Sequence, residues 1–280
     1  MAMRYCMRFG TLILALLLCG FAYGQRKPKI KGNRSVITVD KPLNAFSHLQ
    51  VTDDLEVVLE PGNNEAVRIE ADDNLIDILR FQQDGDTLKI SSFYTITGSK
   101  KLNITLTYQN LKTLRVERGG VVAEQTIEAG ALDLQFLDGA TAVLTVRAAR
   151  VQLNMEGNAS SELNIVSDSL VTRMADQSNA FIYSSDSAMD FALAGRASVT
   201  LEGTGQSLTL SMTDNSTLKA SGMQVNGITA FLNASAQAHV YSLTNLAFEG
   251  RDKSKLFVYG EPEIEVLGFY DAAELHKASE

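Results

Sequence analysis

The sequence predicts an all-β chain wound into a parallel β-helix, a solenoid of coils about 19 residues long, and three observations predict it. Small residues just after a turn former recur at Gly120, Ala140, Ala159, Ser178, Ala197, Ser216, Ser235 and Ser254, with one step of 20 and then six of 19. Ahead of these centres, apolar residues alternate with period two, as in Leu132, Leu134 and Phe136 or Met189, Phe191 and Leu193, which is the mark of a half-buried strand. Two positions before the centres, from Asp138 on, stand Asp138, Gly157, Asp176, Gly195, Asp214, Asn233 and Asp252, so acids occur only at every second coil. Coils stacked about 4.8 Å apart would set neighbouring carboxylates in repulsion by about 0.9 kcal/mol even in water, and skipping a coil relieves it. A sandwich of antiparallel strands, the main competing fold, has no use for that alternation.

The elements follow in chain order. Residues 1–24 read as a secretory signal peptide: Arg4 and Arg8, an apolar run from Leu12 to Ala22, then Ala22-Tyr23-Gly24 as a small-x-small cleavage site. The run is too short for a membrane span, and the expectation is an exported chain in the periplasm or at the outer cell surface. Both cysteines, Cys6 and Cys19, fall in this leader, so the mature chain carries no thiol and needs no disulfide. Its removal leaves 23 basic against 33 acidic residues, a net charge of −10, which disfavours a nucleic-acid partner. Residues 25–34 read as a basic, flexible, solvated leader. Residues 35–110 hold less regular strands around turns at Pro61-Gly62-Asn63-Asn64 and Asp84-Gly85, either a cap or irregular first coils. Residues 111–260 are the regular repeats, strand, tight turn and strand in each. Such a face cannot be buried by one repeat alone, so the coils stack. Residues 261–280 are expected to close the far end, because open strand edges invite association.

The segments Phe46–Gly62 ("FSHLQVTDDLEVVLEPG"), "DGDTLKIS" and Val258–Ile264 ("VYGEPEI"), in that order around coils with small-residue turns, resemble the putative auto-transporter adhesin family called the head GIN domain. Family members use Gly-Ser-Gly-like turns, here reduced to Asp-Gly-Ala at 138–140, Gly-Asn-Ala at 157–159 and Asp-Asn-Ser at 214–216. The resemblance covers most of the mature chain. It implies a right-handed, pectin-lyase-like β-helix in Gram-negative envelopes, with an adhesive role and no catalytic set.

Because β-helices also host polysaccharide lyases and hydrolases, the turns are where candidate chemistry would lie. Asp138, Asp176, Arg196, Asp214 and Asp252 form a surface column, in which Arg196 between two acids reads as a charge ladder. Residues a whole coil apart do not converge as calcium requires, and three scattered histidines make no zinc pattern. His239, four after Ser235, is expected to face inward. No Gly-x-Ser-x-Gly elbow or phosphate loop occurs, and no cofactor is expected. Tyr183, Tyr241 and Tyr259 could make a thin aromatic strip in a chain without tryptophan. The reading is a non-catalytic envelope protein that binds a glycan or protein, with a diverged lyase or hydrolase of the same architecture as the alternative.

Overall fold

The computed structural model describes residues 27–278; the signal-peptide reading falls on residues outside these. Strand makes up 69% of the fold and helix 2%, and the strands stack as a parallel β-solenoid of about nine turns with coils of about 19 residues. Thr141–Met155 pairs in parallel with Ser160–Met174 at a constant offset of 19. The same holds for Asn179–Leu193 and for Ser198–Met212 in turn. Parallel pairing between successive coils rules out the antiparallel sandwich.

Each coil has two flat faces. Ala142, Leu144, Val146 and Ala148 point inward, the alternation breaks at the exposed pair Ala149 and Arg150, and Val151, Leu153 and Met155 then point inward from the second face. Two exposed residues in succession turn the strand, since side chains otherwise alternate sides. Inward residues stack in columns: Phe136, Met155, Met174, Leu193, Met212 and Leu232 are all buried. The small centres Ala140, Ala159, Ser178, Ala197 and Ser216 are fully buried where the chain doubles back. Ser178 and Ser216 donate their hydroxyls to the carbonyls of Ala175 and Thr213, both at 2.7 Å, so a buried polar atom is satisfied inside its own turn.

One centre differs from the expected register. The strand Thr217–Leu232 has 16 residues and its pairing slips at both neighbours. That extra residue moves the next turn: Ala234 takes the positive φ of 57°, Ala236 is buried, and Ser235 is exposed. The centre is therefore Ala236. Consequently Asn233 is not the left-handed turn residue and His239, an odd number of positions on, faces outward and is half-buried. A further centre follows at Ala273, after Asp271 with φ 58°.

The two ends differ. His48–Thr52 and Glu56–Pro61, joined by left-handed Asp53 and Asp54, form a first coil that pairs in parallel with Thr113–Glu117 and Gly120–Ala123. Beyond it the chain closes the rod. On one face Leu102–Tyr108 pairs in parallel with the first coil, and Ala66–Asp72 and Val36–Pro42 add antiparallel strands. On the other, Thr87–Ser92 and Leu79–Asp84 form a hairpin. The helical turn Asp73–Ile76 buries Leu75 and Ile76. A single apolar core runs from Phe46 to Val258, through both the irregular and the regular parts.

Residues 27–34 are not the flexible leader expected of them. Lys29–Ile30 pairs with Thr95–Ile96, and Lys27 reaches the Ser92 carbonyl at 2.8 Å and the Asp53 carboxylate at 2.5 Å. Buried Asp72 accepts backbone N–H groups of Arg34, Lys100 and Lys101. Burial opposes its charge, but those hydrogen bonds prevail and hold its carboxyl below the ordinary range.

At the C-terminus the expected closure is not made. Glu263–Phe269 and Glu274–Lys277 add one more parallel coil, each pairing on one side only among the described residues. Ile264 and Val266 continue the inward columns of Leu246 and Phe248, yet they are 40% and 51% exposed because no further coil among the described residues covers them.

Candidate binding faces and family

The turn column is brought together, and its geometry is structural. Asp176 accepts the backbone N–H of Gly157 at 3.0 Å, Asp214 that of Gly195 at 2.9 Å, and Asp252 that of Ala234 at 3.3 Å. Each acid thus satisfies an amide in the preceding coil. The alternation of Asp with Gly then has a second cause beyond charge separation. A Cβ at Gly195 would stand 2.9 Å from the Asp176 backbone nitrogen, at a φ of 68° that favours glycine anyway. Asp138 shares the left-handed conformation of these acids. Arg196 donates its backbone N–H to the Asp176 carbonyl at 2.6 Å. With Gln177 and Asn215, these groups line a shallow polar depression of about 370 Å³.

The three tyrosines face outward on the first face but do not make one strip, and the register shifts between Tyr183 and the other two. Tyr241 and Tyr259 are direct neighbours in adjacent strands, whereas Tyr183 pairs with Asn164 and Glu202, three coils away. Next to Tyr259 is an aromatic stack that the sequence reading missed. His239 lies 4.4 Å from Phe257 and Phe257 lies 4.8 Å from His276, all nearly parallel, with His239 Nδ1 at 3.4 Å from the Tyr259 hydroxyl. Burial, with the Lys219 charge adding to it, lowers the His239 pKa. The one-residue slip at Ala236 hid this column, because His239, Phe257 and His276 share a position only when counted from Ala236, Ser254 and Ala273.

The second face carries a groove of about 570 Å³ beside the turns. It crosses the coils from Glu156 to Arg251, five steps or roughly 24 Å along the rod. Its floor is made of small outward residues, Ala175, Ala192, Ala194 and Ser211, between Arg173 at one end and Phe231 at the other. Arg251 closes the far end, paired with Glu249 at 2.8 Å and lying 4.7 Å over the Tyr270 ring. The signal was present in the sequence as a dip in side-chain size along one outward column: Asn154, Arg173, Ala192, Ser211, Phe231. A second, more polar cleft of about 730 Å³ lies at the first coils, with Glu65, Asp86, Lys112, Glu128 and Asp133 among its lining.

A buried acid stands apart from these surfaces. Asp186 occupies an inward corner position and accepts from the Ser167 amide at 2.5 Å, the Ser167 hydroxyl at 2.8 Å and the Ser184 hydroxyl. Burial pushes its carboxyl above the ordinary range despite these bonds. Among the described residues no group of three or more His, Cys, Asp or Glu side chains is placed to hold a metal, and no helix is long and apolar enough to cross a membrane.

Solved structures share this fold. A putative adhesin from Parabacteroides merdae ATCC 43184 is 17% identical, with a TM-score of 0.65 over 89% of this chain and all of that one. A putative adhesin from Parabacteroides distasonis ATCC 8503 is 12% identical, with a TM-score of 0.67 over the same shares. A structure from the same organism named a putative lipid binding protein is 17% identical, with a TM-score of 0.65, again over 89% and 100%. No curated protein matches the chain. The family model for the putative auto-transporter adhesin, head GIN domain, matches residues 45–164 and again 156–262, one stretch on the first coils and one on the later ones, and the chain belongs to that family.

Proposed function

We propose that the chain is an exported, non-catalytic adhesion module that binds a partner protein along its side, with an extended segment of that partner lying in the groove of the second face. One observation supports it above others: the groove is long, narrow and floored by small side chains. Small residues allow a backbone to approach closely, and a solenoid holds such a floor rigid over several coils. The charged groups Arg173, Glu156 and Arg251 at its borders suit the polar backbone of an extended peptide. A membrane or secreted glycan is the competing partner, and the polar cleft with Glu128 and Asp133 is where it would be accommodated. The turn acids are poor candidates for general acid–base work, because Asp176, Asp214 and Asp252 each use an oxygen to satisfy a backbone amide.

The test is binding of the exported chain to an array of matrix and envelope proteins, glycans and lipids, with released sugar ends followed in the same samples. Saturable binding to proteins, lost in Ala194→Trp with an unchanged circular dichroism spectrum, is the expected result. Binding to glycans alone, or to acyl lipids alone, would replace the proposed partner class. Sugar release that disappears in Asp176→Asn or Asp214→Asn would overturn the non-catalytic reading.

A further inference from the structure

The two ends of a solenoid present different problems of hydrogen bonding and burial. At the N-terminal end the outermost strand of one face is Val36–Pro42, whose edge carries Lys41 and ends in Pro42, which has no N–H to offer. At the C-terminal end the outermost strand is Glu263–Phe269, six of whose seven residues are exposed and whose second edge has no strand against it among the described residues. It contains no proline and no basic residue. Ile264, Val266, Leu267, Phe269 and the following Tyr270 are all between 40% and 52% exposed. This is a long, apolar edge of the kind that soluble proteins otherwise block.

We propose that this open coil is a dimer interface, in which two copies of the chain meet C-terminal end to C-terminal end about a two-fold axis. Their Glu263–Phe269 strands pair antiparallel across it. A second copy is the occupant for three reasons. A parallel coil ends in a full row of unpaired N–H and C=O groups, and a two-fold brings an identical row to meet it in antiparallel pairing, which is isologous and closes after one step. Centred on Val266, that pairing places each Glu265 beside the bulged Leu267 of the other copy and away from its carboxylates, and Ile264 and Val266 from both copies fall on the core side. The five exposed apolar side chains supply about half of the roughly 800 Å² per partner that a stable interface covers, and the strand backbones and flanking Leu275 add to it. The proline-bearing edge at the other end makes head-to-tail filaments unfavourable.

Sedimentation equilibrium of the exported chain over a range of concentrations tests this directly. The expected result is twice the monomer mass, and a dimer dissociation constant raised about 100-fold or more by Val266→Lys, which sets two ammonium groups against each other at the axis. Val143→Lys, at a side-chain position 45% exposed on the side of the rod, should leave the dimer unchanged. Because both cysteines lie within residues 1–24, Val266→Cys introduces the one thiol of the exported chain, and mild oxidation should yield a covalent dimer where Val143→Cys yields none. A monomer at every concentration overturns the proposal. So does a dimer that survives Val266→Lys with undiminished affinity, or one that Val266→Cys does not cross-link.

Discussion

The first and last coils of the rod meet the same difficulty, the edge of a stacked parallel sheet, and resolve it in opposite ways. At the start, the chain reverses direction. Ala66–Asp72 and Val36–Pro42 run antiparallel over Leu102–Tyr108, a hairpin covers the other face, and Asp72 ties the entering chain to the 100–101 backbone by accepting the N–H groups of Arg34, Lys100 and Lys101. At the other end one more coil is added, and among the described residues none covers Ile264 and Val266, which keep the inward positions. Local sequence therefore sets strand, turn and column alike at both ends. Whether an inward residue is buried depends on the next coil.

Truncation along an inward column gives the strongest contrast. Phe191→Ala, in mid-rod and fully buried, should cost about 3–5 kcal/mol in chemical denaturation, whereas Val266→Ala in the open coil should cost less than about 0.5 kcal/mol at concentrations where the chain is monomeric. Equal losses at both sites would mean that the last coil is covered. Gly195→Ala should cost about 1–3 kcal/mol, through the positive φ and the near contact with Asp176. Gly130→Ala, with open space around its Cβ, is the matched control and should leave stability within about 0.5 kcal/mol.

Acid titration separates the cap from the middle of the rod. The carboxyl of Asp72 is held below its ordinary value of 3.8, so the stability it gives is present above that value and is lost as the pH falls through the lowered one. Asp186 is pushed above 3.8, so its effect has the opposite sign: stability is lost as the pH rises through the raised pKa and returns as the pH falls towards 3.8. Melting temperatures measured from neutral pH downward should show Asp72→Asn less stable than the parent at neutral pH, with the gap narrowing in acid. Asp186→Asn should be more stable at neutral pH, with its advantage also vanishing in acid. A small gain is expected at Thr172, whose buried hydroxyl has no partner among the described residues where neighbouring coils place Leu153 and Phe191; Thr172→Val should raise stability by less than about 1 kcal/mol.

Much of the fold is legible because a solenoid writes long-range contacts into sequence spacing. Pairing partners 19 residues apart are visible as repeated residues, and even the Asp–Gly alternation can be read, although its hydrogen bonds to the preceding coil cannot be inferred from charge alone. Legibility fails where the spacing changes. One extra residue in Thr217–Leu232 moved the true centre from Ser235 to Ala236, turned His239 outward, and concealed its stack with Phe257 and His276. The antiparallel cap was not readable either, since Val36–Pro42 and Ala66–Asp72 pair across 30 residues with no repeat to announce it. The groove lay in outward positions, where a fold reading attends to polarity, and its floor is distinguished by size alone.

The reach of each turn aspartate into the coil before it also bears on how such a rod changes its length. Asp176 serves Gly157 and Asp214 serves Gly195, so the hereditary unit is a pair of coils, 38 residues from one acid to the next. Excising one coil, for instance residues 176–194, would set Gly157 against Gly195 and strand an amide. Excising two restores the match. Descendants of such a gene should therefore gain and lose turns two at a time, and a lineage with an odd count should carry, at the seam, an Asn or a second Asp of the kind seen at Asp252 and Asp271.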